Sequence, residues 1–121
     1  MTAPPAPKRQ QAEQRGRRAE RLAAWWLRLH GWRILGERVR VSGGEVDLIA
    51  KRGNIIAFVE VKQRQNRAEL DHAIDAHRLR RVVTAAQILT PRYAKQGEDI
   101  RIDVILLAPR TLPRHLVNVT I

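Results

Sequence analysis

Two apolar runs near the middle of the chain dominate its pattern of hydrophobic and polar positions. They span Glu45–Arg52 and Ile55–Lys62, are rich in Val and Ile, and are separated by Gly53 and Asn54. Apolar runs joined by such a pair predict a β-hairpin with a two-residue loop. Because side chains alternate along a strand, one face of this hairpin is predicted to be fully apolar. That face comprises Val46, Leu48, Ala50, Ala57, Val59 and Val61.

The register of the hairpin places acidic side chains on facing strands. With a two-residue loop, Asp47 lies opposite Glu60, and Glu45 lies opposite Lys62. Facing partners have Cβ atoms roughly 4.5–5.5 Å apart, and like charges at that distance destabilise a sheet. A cation between the two carboxylates removes the repulsion, and oxygen ligands suit a hard divalent cation. The alternative is a solvated sheet end at which Lys62 pairs with a neighbouring acid.

Helical periodicity precedes and follows the hairpin. Residues 11–30 are predicted to form an amphipathic helix that ends at Gly31. Its predicted core stripe is Leu22, Trp25, Trp26 and Leu29. A second helix is predicted over residues 76–89, with Pro91 as its stop. Its predicted core stripe is Leu79, Val82, Val83, Ala86 and Leu89.

One acid of the first helix lies apart from the arginines of that helix. At helical spacing, Glu20 falls on a flank of small and apolar side chains, namely Ala23, Ala24 and Leu27. Such a flank lets a helix pack closely and still direct a carboxylate into a neighbouring site. The alternative is a surface ion pair of Glu20 with Arg17 or Arg21.

Further strands complete the predicted order of helix, three strands, helix, and one or two strands. They are predicted over residues 32–41, 99–107 and 115–121. A hairpin followed by a helical crossover predicts a mixed sheet flanked by helices, which is an α/β fold. Residues 11–121 are predicted to form a single domain, with an irregular loop over 63–75. The proline-rich residues 1–10 are predicted to be a disordered basic tail.

The charge of the chain indicates an anionic partner. Its 121 residues include 23 Lys and Arg against 12 Asp and Glu, a net charge of +11. Such a balance favours polyanions, chiefly nucleic acid or an anionic membrane surface, although basic charge also raises solubility. The lack of cysteine excludes disulfides, zinc–thiolate sites and a cysteine nucleophile. No apolar stretch approaches the roughly 18–20 residues of a membrane span, and the N-terminus has no apolar core for a secretory signal. We therefore expect a cytoplasmic protein whose partner is nucleic acid and not a membrane.

The hairpin acids belong to a longer set of residues that resembles a known family. Asp47 and Glu60-Val61-Lys62 have the D…ExK spacing of the PD-(D/E)xK nuclease superfamily. Beyond that motif, about residues 13–121 resemble the YraN-like family of predicted endonucleases, which is related to archaeal Holliday-junction resolvases. The strings that carry the resemblance are Gly44-Glu45-Val46-Asp47-Leu48-Ile49, Phe58-Val59-Glu60-Val61-Lys62 and Arg101-Ile102-Asp103-Val104-Ile105.

The resemblance implies both a fold and a chemistry. The fold would be restriction-endonuclease-like, with an αβββαβ core, and the activity would be metal-dependent cleavage of DNA rather than RNA, including branched or structured DNA. Asp47, Glu60 and the Val61 carbonyl would ligate Mg²⁺ or Mn²⁺. Lys62 would orient the attacking water or neutralise charge at phosphorus.

Other residues would complete this implied site. Glu20 would join from the first helix as an outer-sphere or second-metal ligand, and Glu45 would either tune Lys62 or bind metal through water. The expected phosphate contacts come from Arg38, Arg40, Gln63, Arg64, Arg78 and Arg81. Arg38 stands where the family usually has Asn, and Arg78 stands where Lys is usual.

Two other functions are compatible with the same residues. A non-catalytic nucleic-acid-binding module of the same fold would grip branched or single-stranded nucleic acid without cutting it. Facing carboxylates argue against this module, because they repel phosphate unless a metal lies between them. The second alternative to the nuclease is a purely structural or ribosome-associated basic protein. For the nuclease, junction cleavage normally needs two active sites and would require a homodimer.

Overall fold

The computed structural model describes residues 7–64 and 76–119, with the side chains of the first helix described from Gly16 onward. The elements are α1 (Pro7–Leu29), β1 (Arg33–Val41), β2 (Gly44–Arg52), β3 (Ile55–Gln63), α2 (Ala76–Tyr93), β4 (Asp99–Leu107) and β5 (Arg114–Leu116). Residues 7–10, predicted to be part of the disordered tail, form the start of α1. Proline is tolerated at this position, because a first-turn N–H has no acceptor within the helix. Residues 1–6 of the predicted tail and residues 65–75 of the predicted loop lie outside the described residues.

The strands form one mixed sheet in the order β1-β2-β3-β4-β5. All neighbouring pairs are antiparallel except β3 and β4, which are parallel and are connected through α2. α1 covers one face, where Leu27 packs with Leu48 and Val59. α2 covers the other face, where Val82 packs with Phe58. The predicted α/β fold with an αβββαβ core is therefore confirmed, and β3 is its middle strand.

The β2–β3 hairpin has the predicted register as far as its ladder extends. Arg52 pairs with Ile55, and the pairing continues to Leu48 with Val59. The sequence predicted that Asp47 and Glu60 are ladder partners. This prediction is wrong, because both residues lie beyond the last pair. Val46 also departs from the predicted apolar face, because it packs in the α2 cluster while Leu48 packs under α1. The alternation of β2 is thus broken beside Asp47.

The buried face of α1 differs from the prediction. Leu22, Trp25 and Leu29 are 58%, 63% and 69% exposed, and Trp26 is half-buried. The side chains that lie against the sheet are Ala19, Ala23, Ala24 and Leu27. Alanines allow the helix axis to come close to the sheet, so the face with the smallest side chains packs best. Glu20 lies half-buried on this alanine side, where its position along the helix had placed it.

The end of α2 also differs from the prediction, while its core face agrees closely. The helix continues to Tyr93, with Pro91 inside its last turn. A proline there removes a single N–H donor and leaves the preceding turns intact. The predicted core positions of α2 are buried except Val83, which is half-buried, and Ala85 is buried in addition.

The C-terminal strand is shorter than predicted. β5 spans Arg114–Leu116, whereas residues 115–121 were predicted to form it. Beyond β5, the N–H of Val119 donates to the carbonyl of Ile102 at 2.7 Å, so the chain still runs beside β4.

Gly44, at the start of β2, allows a close approach of α2. A Cβ at this position would lie 2.5 Å from the Arg81 carbonyl oxygen and 2.8 Å from the Ala85 nitrogen. Both atoms belong to the helix backbone and cannot move aside. The neighbour that requires glycine at position 44 is therefore α2 itself.

Candidate active site

A pocket of about 760 Å³ opens at the end of the sheet where β2 begins and β3 ends. Most predicted site residues line it: Glu20, Arg38, Arg40, Glu45, Asp47, Val61, Lys62, Gln63, Arg64 and Arg78. Glu60 is buried behind this wall, in contact with the wall residues Lys62 and Arg78. Arg81 is not on the wall, and its carbonyl faces Gly44. Residues of α1, β1, β2, β3 and α2 therefore line one pocket, which contains both basic and acidic side chains.

Asp47 is fixed by the backbone of the neighbouring strand. Its Oδ2 atom accepts a hydrogen bond from the N–H of Val61 at 2.8 Å. The ladder between β2 and β3 has ended by this point, so the side chain supplies the acceptor that a strand carbonyl would otherwise supply. The carboxylate is thereby held against the segment that carries Glu60 and Lys62.

Arg38 lies across from Asp47 on β1, in an unusual backbone conformation. The pairs on either side are Glu37 with Leu48 and Val39 with Val46. Arg38 has a φ of 50°, in the left-handed region that residues other than Gly and Asn adopt rarely. Such strain persists only where surrounding interactions hold it. Here the Arg38 Nε atom donates to Glu20 Oε2 at 2.7 Å, which links β1 to α1 across the pocket.

Glu60 is the most deeply buried acid of the site. It is 2% exposed, and its Oε1 atom lies 3.3 Å from Lys62 Nζ and 3.2 Å from an Arg78 guanidinium nitrogen. Neither contact has hydrogen-bond geometry, so this buried oxygen has no hydrogen-bond partner. Burial and the nearby Asp47 raise the pKa of Glu60 to about 7, against the opposing effect of Arg78 and Lys62. Glu60 therefore titrates near neutral pH.

Lys62 is buried beside Glu60, with 4% of its side chain exposed. Burial lowers the pKa of Lys62, and the Glu60 carboxylate opposes that shift. Each charged group thus reduces the free-energy cost of keeping the other one charged, since both side chains are shielded from solvent.

Two further acids of the pocket each have an arginine partner. Burial, with a smaller effect from Asp47, raises the pKa of Glu20, and Arg38 opposes the rise. Glu45 lies 3.6 Å from Arg40, whose side chain is 82% exposed. Glu45 is accordingly paired with Arg40 rather than with Lys62.

The residues present fit a hard divalent cation. Within residues 7–64 and 76–119, no three acidic or histidine side chains form a ready cage for a metal. Asp47 nevertheless lies close enough to raise the pKa of Glu60, and Glu60 Oε1 is buried without a hydrogen bond. Mg²⁺ usually takes one or two carboxylates and keeps several waters, so two acids suffice.

Another buried acid lies away from the pocket. Asp103 of β4 is fully buried; it accepts hydrogen bonds from Arg101 at 2.8 and 3.1 Å and from the Asn118 N–H at 2.9 Å. His115 Nε2 lies 2.7 Å from Asp103 Oδ2. Burial alone would raise the pKa of Asp103, but His115, Arg101 and the Asn118 N–H together lower it to about 2. This network was not predicted from the sequence. The feature of the sequence that indicates it is an acid, Asp103, within a run of apolar residues.

The fold is similar to that of a solved resolvase. A solved structure of Hjc, a Holliday junction resolvase from Archaeoglobus fulgidus, superposes with a TM-score of 0.59 at 22% identity. The match covers 85% of this chain and 72% of that one.

The chain belongs to the uncharacterised protein family UPF0102, whose family model matches residues 19–107. A UPF0102 protein of Sphingopyxis alaskensis is 68% identical over 108 residues, which are 89% of this chain and 93% of the relative. One from Erythrobacter litoralis is 61% identical and covers 92% and 96%. One from Paramagnetospirillum magneticum is 46% identical and covers 95% and 93%. The resemblance to the YraN-like family is thereby confirmed. Among the described helices, none is long and apolar enough to cross a membrane.

Proposed function

We propose that this chain is a divalent-metal-dependent nuclease that hydrolyses phosphodiester bonds of DNA. The observation that carries this proposal is the proximity of Asp47 to the buried Glu60, beside a pocket that four arginines also line. In a protein with a net charge of +11, two adjacent acids serve no purpose in simple phosphate binding. A cation bound to both would turn a repulsive patch into one that attracts phosphate. The likeness of the fold to a resolvase supports the same reaction class.

The residues of the pocket divide into three roles. Asp47 and Glu60 hold the cation, which when bound acidifies a water and polarises a phosphoryl oxygen. Lys62, buried beside Glu60, orients the attacking water or neutralises charge that develops on the phosphate. Glu20 faces the same space from α1 and supports the arrangement from outside the ligand pair.

Basic and polar wall residues would position the DNA backbone. Arg38, Arg40, Gln63 and Arg64 line the pocket mouth and offer donors for phosphate oxygens. Arg81 lies off the wall and is a weaker candidate than the sequence suggested. We expect branched or structured DNA as substrate, a homodimer where two strands are cut, and a cytoplasmic protein.

The deciding experiment is cleavage of labelled DNAs in the presence of Mg²⁺, Mn²⁺ or EDTA. The panel comprises single-stranded, duplex, flap and four-way junction DNA. We expect cutting only with a metal and at least a hundredfold loss in Glu60→Gln, because a lost ligand removes several kcal/mol of charge stabilisation, of which about 2.7 kcal/mol is a hundredfold in rate.

Asp99→Asn is the matched control, since it also changes an acid to an amide but at an exposed position outside the pocket wall. Both variants are checked by thermal melting. If the wild type cuts no DNA with either metal, and wild type and Glu60→Gln bind DNA equally, the chain is a binding module and the nuclease proposal is wrong.

A further inference from the structure

Two cations contact the same buried oxygen of Glu60, but they differ in how firmly they are held. Lys62 is 4% exposed and is enclosed with Glu60, whereas the Arg78 side chain is 46% exposed and reaches Glu60 from the start of α2. The Arg78 contact, at 3.2 Å, lacks hydrogen-bond geometry. The half-exposed guanidinium can leave Glu60 and become solvated, whereas the ammonium of the enclosed Lys62 would stay buried without its counter-charge. Arg78 is therefore the replaceable partner of Glu60.

We propose that Arg78 exchanges between Glu60 and the substrate, leaving Glu60 when a divalent cation binds there and then binding a phosphate of the nucleic acid. This inference rests on the proposed function and adds a coupling between metal and substrate. A divalent cation on Glu60 repels the guanidinium beside the same carboxylate. Once displaced, Arg78 still lines the pocket and offers a planar pair of donors that suits phosphate. Metal and nucleic acid then strengthen each other's binding, as reciprocal linkage requires.

The first test measures Mn²⁺ binding to the full chain by calorimetry, without nucleic acid. It is run at about pH 8, well above the ordinary pKa of a carboxyl group, so that protons compete little with the metal. Because Arg78 competes with the metal, Arg78→Gln is expected to bind Mn²⁺ roughly threefold to fivefold more tightly than the wild type.

Two controls separate this competition from a general loss of positive charge. Arg92→Gln removes an exposed charge from the far end of α2. Arg80→Gln removes an exposed charge of α2 outside the wall. Both are expected to change the Mn²⁺ affinity less than about twofold, as ordinary surface charges do.

A second measurement follows the freed arginine. The affinity for a short DNA duplex is titrated against salt, with and without Ca²⁺, a hard cation with the same preference for oxygen ligands. One additional phosphate contact steepens the slope of log K against log salt by about 0.9. Because the bound cation itself attracts phosphate in every variant, the expected result is a difference: the change of slope caused by Ca²⁺ is larger in the wild type and in Arg80→Gln than in Arg78→Gln, by about 0.9.

The outcomes distinguish the two proposals. If the wild type binds Mn²⁺ and Arg78→Gln binds it no more tightly than the controls do, the exchange is wrong while the nuclease stands. If the Ca²⁺ increment in slope is as large in Arg78→Gln as in Arg80→Gln, the exchange is equally wrong. A wild type that binds no Mn²⁺ and cuts no DNA overturns both.

Discussion

Glu60 and Asp103 are buried carboxylates on neighbouring strands, and their surroundings shift their pKa values in opposite directions. Glu60 has a pKa raised to about 7, because burial and Asp47 outweigh two imperfect cation contacts. Asp103 has a pKa lowered to about 2, because His115, Arg101 and a backbone N–H outweigh its burial. The first arrangement leaves an acid with capacity for another ligand, whereas the second satisfies an acid completely. We therefore assign Glu60 to chemistry and Asp103 to stability.

Asp103 provides a prediction about acid stability. Its pKa is lower in the folded chain than its ordinary value of 3.8, so it stabilises the fold above about pH 4. That contribution, about 2 kcal/mol, is lost as the pH falls toward 2. In Asp103→Asn, we expect the free energy of unfolding at pH 7 to fall by about 3 kcal/mol, since the half-buried Arg101 and His115 lose their counter-charge.

The measurement is urea unfolding of the wild type and Asp103→Asn between about pH 2 and 7, the range over which a lowered carboxyl pKa acts. The variant should show a flatter dependence on pH below 4 than the wild type. Asp99→Asn, an exposed change on the same strand, is the control and should follow the wild type. Equal pH dependence in Asp103→Asn and the wild type would contradict the assignment of Asp103.

At the scale of elements, α1 packs through alanines and leaves larger side chains in solvent. Leu27 is fully buried, whereas Leu29, two residues later, is 69% exposed. We expect Leu27→Ala to lower the free energy of unfolding by about 3 kcal/mol, because it leaves a cavity under the helix. Leu29→Ala is the same substitution on the opposite side and should stay within about 0.5 kcal/mol of the wild type. Chemical unfolding of both variants measures the two losses of unfolding free energy. Equal losses would contradict the packing of α1 described here.

The elements differ in how far the sequence could predict them. The hairpin followed from two apolar runs around Gly53 and Asn54, since a two-residue loop fixes the register. The packing face of α1 did not follow, because periodicity shows that an apolar stripe exists but not which of two adjacent stripes comes closer to a sheet. The end of α2 was predicted wrongly for a related reason, because the effect of Pro91 depends on its position within the helix. In the last turn a proline does not end the helix.

The site was predictable in its composition but not in its contacts. The acids and most of the basic residues could be named, since charged residues in an apolar hairpin are conspicuous. Their pairing required tertiary structure, because Glu20 meets Arg38 and Glu60 meets Arg78 across elements distant in the chain. The positive φ of Arg38 left no sign in the sequence.

At the scale of the whole molecule, the positive charge predicts that DNA binding depends on salt. We expect log K to fall with log salt with a slope of about −3, since a few arginines of the pocket mouth would each contact a phosphate. Arg64→Gln should make the slope shallower by about 0.9. Arg92→Gln removes an exposed charge from the far end of α2 and should leave the slope unchanged. Fluorescence anisotropy at several salt concentrations measures both, and an equal loss in the two variants would mean that binding is spread over the surface.

The middle position of β3 has a consequence during synthesis on the ribosome. β3 pairs with β2 as soon as the hairpin has emerged, but its other edge stays open until β4 has been made, more than thirty residues later. An unpaired apolar edge readily joins the edge of another nascent chain. Glu60 and Lys62 are the charged residues near the end of this otherwise apolar strand. Inward-pointing charges on an open edge discourage such pairing. The residues that we assign to cutting DNA would therefore also keep newly made chains apart until each fold closes around its own pocket.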